Sequence, residues 1–113
     1  MTDTVTGTAA TSTARVPTTS ASKYMQQTCK HWAHNLDVTF DETDGRIVFP
    51  RDARGASWAG DAVLTFHAEP EALVCTIAAS EPGQLAGLKG AVERHVDRFA
   101  FREAPLSYPW VDA

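Results

Sequence analysis

The sequence predicts an α+β domain in which an antiparallel sheet carries two helices on one face. Two segments, one near each end of the chain, repeat apolar residues with helical spacing, and four segments between them alternate apolar and polar residues. The predicted order is strand, helix, four strands, helix. A sheet with both helices on one face buries every apolar stripe at once. This order is analogous to TATA-binding-protein-like and helix-grip arrangements, an analogy that carries no function.

The N-terminal segment divides into a tail and a short strand. Residues 1–13 are mainly Thr, Ala, Ser and Gly, which offer too little apolar surface to offset the entropy of ordering them. We therefore expect a disordered tail over 1–13 and a single domain over 14–113. Residues 13–18 are extended, and Pro17 restricts them to an edge strand or a strand end.

The first helix is predicted within residues 20–36. Winding this segment at about 100° per residue places four apolar residues on one narrow stripe, which predicts that this stripe faces the core. The four residues are Met25, Cys29, Trp32 and Leu36. Ser20 is the expected N-cap, because its hydroxyl can accept a hydrogen bond from a free N–H of the first turn.

The middle of the chain predicts four successive antiparallel strands. Val38 and Phe40 alternate with polar residues, and Asp44-Gly45 follows as a dipeptide that favours the positive φ angles of a tight hairpin turn. The returning strand ends at Pro50, and two further alternating strands run from 61 to 67 and from 73 to 79. The loop over 51–60, between the strand that ends at Pro50 and the strand that starts at 61, carries Trp58.

The second helix begins near Glu81-Pro82, because proline is tolerated in a first helical turn and a glutamate is favourable to the helix dipole. Its apolar stripe is Leu85, Leu88, Val92, Val96 and Phe99. The aromatic residues after it are too many for a free tail. We expect this last segment to fold back on the domain, in part as an edge strand.

Composition excludes several classes of function. The net charge of −4, from 10 basic and 14 acidic residues, gives no general attraction for nucleic acid. No apolar run approaches the length of about 20 residues that crosses a bilayer, and no signal peptide is visible, so we expect a cytoplasmic protein. Cys29 and Cys75 are then expected as thiols, although the sequence leaves a disulfide between them open.

Four segments together carry a family resemblance. They are Tyr24 within Ala-Ser-Lys-Tyr-Met, Cys29-Lys30-His31-Trp32-Ala33-His34, Gly45-Arg46-Ile47, and the run from His95 to Glu103. With them the chain resembles, from Ala14 to Trp110, a bacterial family catalogued as domain of unknown function 2218. The resemblance implies a link to siderophore and iron-uptake systems, with a siderophore reductase or an iron-uptake protein as partner. It implies no catalytic residues.

Histidines carry most of the remaining chemistry. His31 and His34 project about 60° apart on the first helix, whereas Cys29 faces the opposite way, so only the two imidazoles can share a ligand. His95 lies at the margin of the second stripe. If the helices are neighbours, His31 and His95 approach each other. The candidate ligand-binding residues are Tyr24, His31, His34, His95, Arg98 and Glu103.

Three functions stay open at this point. The first is a binding or accessory module that takes iron, haem or a ferric siderophore, with His31, His34 and His95 as candidate metal ligands. The second is a protein-interaction module with structural histidines and an Arg98–Glu103 ion pair; Trp58 would anchor the partner or act as a lid over a pocket. The third is a small enzyme, for which the sequence offers no paired nucleophile and base.

Overall fold

Two helices pack on one face of a six-stranded antiparallel sheet in the computed structural model, which describes residues 10–53 and 55–113. The predicted α+β class and its order of main elements are confirmed. The strand order is β2-β3-β6-β7-β1-β8, and β4 and β5 form a separate small ribbon. The elements are β1 (Ala10–Pro17), α1 (Ala21–Trp32), β2 (Asp37–Phe40), β3 (Asp44–Phe49), β4 (Asp52–Ala53), β5 (Ala56–Ser57), β6 (Ala62–Glu69), β7 (Ala72–Ala79), α2 (Pro82–Phe99) and β8 (Val111–Asp112).

One face of the sheet supplies most of the core. Alternation along the strands aligns the apolar residues of neighbouring strands, so that Phe66 of β6 lies between Gly45 of β3 and Cys75 of β7. Both helices cover this face with their own apolar residues. The buried set includes Val16, Met25, Cys29, Ile47, Leu64, Leu73, Ile77, Val92 and Val96. Neither helix among the described residues is long and apolar enough to cross a membrane.

Strand β1 begins at Ala10, so the prediction of a tail was wrong for residues 10–13. These residues pair with β7 along their whole length, and Ser12 and Thr13 also pair with β8. Pairing on both sides satisfies the backbone polar groups, which offsets the small apolar surface of Ala, Thr and Ser. Residues 1–9 of the predicted tail lie outside the described residues.

The β2–β3 hairpin forms as predicted, but Asp44-Gly45 is not its turn. Both residues belong to β3, and the turn lies before them, where an oxygen of the Asp41 carboxylate accepts the backbone N–H groups of Thr43 and Asp44 at 2.9 and 2.8 Å. Gly45 is required for a different reason. A Cβ at this position would lie 2.8 Å from the Sγ atom of Cys29 on the helix above.

Helix α1 is shorter than predicted, and it buries Ala21, Tyr24 and Thr28 in addition to Met25, Cys29 and Trp32 of the predicted stripe. It ends at Trp32, and Leu36 follows a turn. Ser20 occupies the N-cap position without a side-chain capping hydrogen bond, and its own N–H donates to the Thr18 hydroxyl at 3.1 Å. Tyr24, which the helical arithmetic placed away from the stripe, is buried.

The C-terminal segment folds back on α2 and ends as the edge strand β8, as predicted. Polar contacts with side chains of α2 help to hold it in place. The Tyr108 hydroxyl donates to Asp97 at 2.8 Å, the Trp110 indole donates to Glu93 at 2.8 Å, and Lys89 pairs with Asp112. The C-terminal segment is thereby held against the side of α2.

Candidate ligand-binding cleft

The two helices bring His31 and His95 together. The ring centroids of these residues lie 5.5 Å apart, with the ring planes tilted by 44°. This is the approach that the sequence predicts for neighbouring helices. His31 is the penultimate residue of α1 and His95 lies in the C-terminal half of α2, so the pair marks the point where the end of α1 meets α2.

Aromatic packing fixes the position of His95. Its ring lies 4.6 Å from that of Trp32, centroid to centroid, and its Nδ1–H donates to the Ala91 carbonyl at 2.7 Å. Trp32 meets Phe49 of β3 edge to face at 5.2 Å. The rings of His95, Trp32 and Phe49 thus form a row that extends from α2 to the last residue of β3.

A cleft of about 530 Å³ opens beside these rings, between the end of α1, α2 and the segment that joins β3 to β6. This volume falls within the range of about 300–1,000 Å³ that is typical of small-molecule sites. None of the described residues that line it is acidic, although the chain has a net charge of −4. The lining residues are His31, Trp32, Asn35, Leu36, Phe49, Pro50, Trp58, Gln84, Gly87, Leu88, Ala91, Arg94 and His95.

The segment between β3 and β6 places Trp58 over the start of α2. The indole packs so closely on Gly83 that a Cβ there would lie 3.1 Å from the ring. Hydrogen bonds tie the residues that follow to α2: the Ala59 N–H donates to the Glu81 carboxylate at 2.6 Å, and the Gln84 side-chain amide donates to the Gly60 carbonyl at 3.0 Å. Trp58 therefore forms one wall of the cleft.

Comparison with known proteins places this fold in a family. Residues 13–111 match the model of a family described as uncharacterized protein conserved in bacteria, DUF2218. The chain belongs to this family. The NMR structure of PA4090 from Pseudomonas aeruginosa is similar to the DUF2218 domain described here, with a TM-score of 0.68 and 28% identity over 89% of this chain and 94% of that one. No curated protein matches the chain.

Only some of the predicted site residues line the cleft of the DUF2218 domain. His31, His95 and Trp58 line the cleft. His34 is exposed and does not line it, and Arg98 points into solvent with its guanidinium 6.0 Å from the ring of Phe99. The structure therefore places His34 and Arg98 outside the cleft.

Tyr24 and Glu103 meet elsewhere in the DUF2218 domain. The Tyr24 hydroxyl donates to the Glu103 carboxylate, which also accepts the Thr18 hydroxyl at 3.1 Å. The hydrogen bond to Glu103 raises the pKa of Tyr24 above its ordinary value, with burial as a second cause. Glu103 thus joins the C-terminal segment to α1 and β1, and the predicted Arg98–Glu103 ion pair is absent from the ion pairs of the described residues.

The predicted metal ligands do not form a metal centre by themselves. Within residues 10–53 and 55–113, no three His, Cys, Asp or Glu side chains are placed so that they could hold an ion. Cys29 and Cys75 are free thiols in the core, as predicted. Burial raises the pKa of Cys29 to about 11 and raises that of Cys75 as well, so neither thiol is an activated nucleophile.

Sequence reasoning missed several residues of the cleft. Arg94, Asn35 and Gly87 all line it, and none of them belongs to an apolar stripe or a recognised motif. Two signals were present: Arg94 directly precedes His95, and Gly87 interrupts the helix where propensity alone favours another residue. Neither signal identifies a cleft without the loop that closes it.

Proposed function

We propose that this DUF2218 domain is a small-molecule-binding accessory module and that its cleft holds an anionic aromatic ligand of the iron–siderophore class. The observation that carries the proposal is the lining of the cleft. It combines aromatic rings with Arg94, His31 and His95, and its described lining has no carboxylate, in a chain that is acidic as a whole. Local positive character in such a cleft favours an anion.

The geometry supports binding of a preformed chelate better than binding of a bare ion. Two imidazoles 5.5 Å apart supply at most two metal ligands, whereas a ferric chelate brings its own oxygen donors. Catecholate and carboxylate chelates carry negative charge and planar rings. Arg94 can donate to such oxygens, and the rings of Trp32, Phe49 and Trp58 can pack on the aromatic part.

Binding is also favoured over catalysis. The thiol of Cys29 is buried in the core, where burial raises its pKa to about 11. The carboxylate of Glu103 is engaged by Tyr24 and Thr18, outside the cleft. A nucleophile next to a base is the usual requirement for a hydrolase, and no such pair lines the described part of the cleft.

The proposed partner is a siderophore reductase or an iron-uptake protein. In this proposal the domain presents its loaded ligand to that partner. Trp58 is half-buried on Gly83 and lines the cleft, and this placement supports the lid alternative rather than the partner anchor. Co-purification with a purified siderophore reductase, with and without a ferric chelate, tests this step; a complex that the chelate does not strengthen would contradict it.

The binding proposal is tested by titration with a ferric tris-catecholate, haem and Zn²⁺, followed by tryptophan fluorescence and calorimetry. We expect micromolar binding of the chelate, and we expect Arg94→Gln to weaken it about 10-fold or more, since a charge-assisted hydrogen bond contributes about 1.5–3 kcal/mol. Arg98→Gln is the matched control, because Arg98 lies one turn along α2 and is also exposed, but it lies outside the cleft.

His31→Gln and His34→Gln form a second matched pair, of which only His31 lines the cleft. We expect weaker binding for the first variant and wild-type binding for the second. Absence of binding by either iron compound at micromolar concentration would contradict the proposal. Equal losses in the two arginine variants would contradict the assignment of the cleft.

A further inference from the structure

Three glycines of α2 face the same side of the helix. Gly83, Gly87 and Gly90 are four and three residues apart, a spacing that keeps them within about 60° of one another around the axis. A glycine is a poor helix former, so its presence in a helix calls for a reason. The reason differs at the three positions.

The spaces above Gly83 and Gly90 are occupied. The six-membered ring of Trp58 lies over Gly83, where a Cβ would approach it to 3.1 Å. The guanidinium of Arg94 lies over Gly90, where a Cβ would be 3.0 Å from its Nη1 atom. Each of these two glycines thus allows one side chain to pack directly against the helix backbone.

The space above Gly87, between these two, is open. A Cβ there would meet nothing within 4 Å, and Gly87 lines the cleft. Packing with the described residues therefore does not explain the absence of a side chain. The cleft at this point is a slot with bare helix as its floor. The Trp58 indole lies over Gly83 at one end and the Arg94 guanidinium over Gly90 at the other, and these two glycines are about 10 Å apart along the axis.

We propose that the ligand carries a planar aromatic ring that lies flat on α2 at Gly87, with an anionic group on Arg94 and the indole of Trp58 against the ring. Gly87 then determines specificity, because any side chain there would fill the slot. This inference rests on the proposed binding function of the cleft, but it does not require the ligand to contain iron. The class it assigns is a planar aromatic carboxylate, sulfonate or phenolate.

Two probes of equal charge test the shape of the slot. Naphthalene-1-sulfonate is planar, whereas camphor-10-sulfonate is rounded, and both are titrated into the full chain with calorimetry and NMR shift mapping. We expect the planar anion to bind at least 10-fold more tightly and to shift the amide signals of residues 83–95. Equal affinities for the two anions, or no binding of either at millimolar concentration, would overturn the proposal.

Substitutions at Gly87 test its role. We expect the affinity for naphthalene-1-sulfonate to fall in the order Gly, Ala, Leu, with a loss of at least 10-fold for Gly87→Leu, while the urea midpoint stays equal or rises. Ala86→Leu is the matched control, because Ala86 is exposed next to Gly87 but does not line the cleft. Wild-type affinity in Gly87→Leu would refute the slot.

The outcomes separate this inference from the proposed function. If the planar anion binds and Gly87→Leu blocks it, while no ferric chelate binds, the slot stands and the iron class is wrong. If a ferric chelate binds with dependence on Arg94 but Gly87→Leu has no effect on either ligand, the function stands and the slot is wrong.

Discussion

Replacement of Gly45 by alanine tests the contact between the sheet and α1. The new Cβ would lie 2.8 Å from the Sγ atom of Cys29 and 3.6 Å from atoms of Phe40 and Phe66. Real Cβ contacts are longer than the first of these distances, so the backbone of β3 or the helix above must shift. Cys29 is fully buried and has no solvent space into which its sulfur could turn.

The magnitude follows from two opposing effects. Overpacking a filled core costs about 1–3 kcal/mol. Replacing glycine in a strand gains about 0.5–1 kcal/mol, mainly because the unfolded chain loses freedom. The net prediction is a destabilisation of about 1–2 kcal/mol. Gly87→Ala is the matched control, since its Cβ meets nothing, and it should stabilise the helix by about 1 kcal/mol at most.

A double-mutant cycle with Cys29→Ala identifies the sulfur as the cause. Cys29→Ala alone removes a buried atom and should cost about 1–2 kcal/mol. In the double variant the alanine Cβ at 45 enters the space that the sulfur leaves, so the cost should be about 1–2 kcal/mol smaller than the sum. Urea unfolding followed by tryptophan fluorescence measures all four forms. Additive costs, or a stabilising Gly45→Ala, would refute the reasoning.

Three further predictions concern single groups. Backbone N–H groups of residues 44 and 43 hold the pKa of Asp41 below its usual range. The stabilisation that this carboxylate gives is therefore present above the ordinary pKa of about 3.9 and is lost as the pH falls through the lowered pKa of the folded state. The stability difference between wild type and Asp41→Asn, measured by urea unfolding, should shrink below pH 4, and a constant difference would contradict this. Iodoacetamide at pH 8 should leave Cys29 and Cys75 unlabelled in the native protein and should label both in urea, because burial raises the pKa of both thiols. Labelling of the native protein at the rate seen in urea would show that the thiols are accessible. His95→Phe should keep the ring contact with Trp32 and lower the stability by about 0.5–1.5 kcal/mol, because only the hydrogen bond is lost. His95→Ala should lower the stability further, because it also loses the ring. Equal melting temperatures for the two variants would show that the ring contact does not stabilise the fold.

The fold was predictable because its signals are local. Alternation in the segments that became β6 and β7 fixes which residues face the core, and the helical stripes of α1 and α2 then have one apolar surface to cover. Strand β1 was placed too short, since pairing with β7 and β8 orders residues that have little apolar surface of their own. A backbone pairing of this kind leaves no mark in hydropathy.

The site was predictable only in part, since it depends on packing between distant segments. The approach of His31 and His95 follows from two adjacent helices, with His95 at the margin of its stripe and His31 outside the stripe of α1. Arg94 and Gly87 have meaning only once Trp58 lies over Gly83, and no pattern within α2 reports where that indole goes. Tyr24 and Glu103 belong to one predicted set and do bond to each other, but their place outside the cleft depends on contacts across 79 residues of sequence.

The histidines are therefore a weaker guide to function than they first appear in the sequence. His95 stacks on Trp32 and donates to a carbonyl of its own helix, and these contacts explain its presence without a ligand. Such contacts do not explain Gly87, a helical glycine with an open space above it. Nor do they explain why the described residues that line the cleft include no carboxylate, although the chain is acidic. Where local rules are broken together at one place, function is the common reason. The ligand hypothesis should thus be judged on Gly87 and Arg94, and loss of binding in a histidine variant alone would not distinguish a lost contact from a disturbed wall.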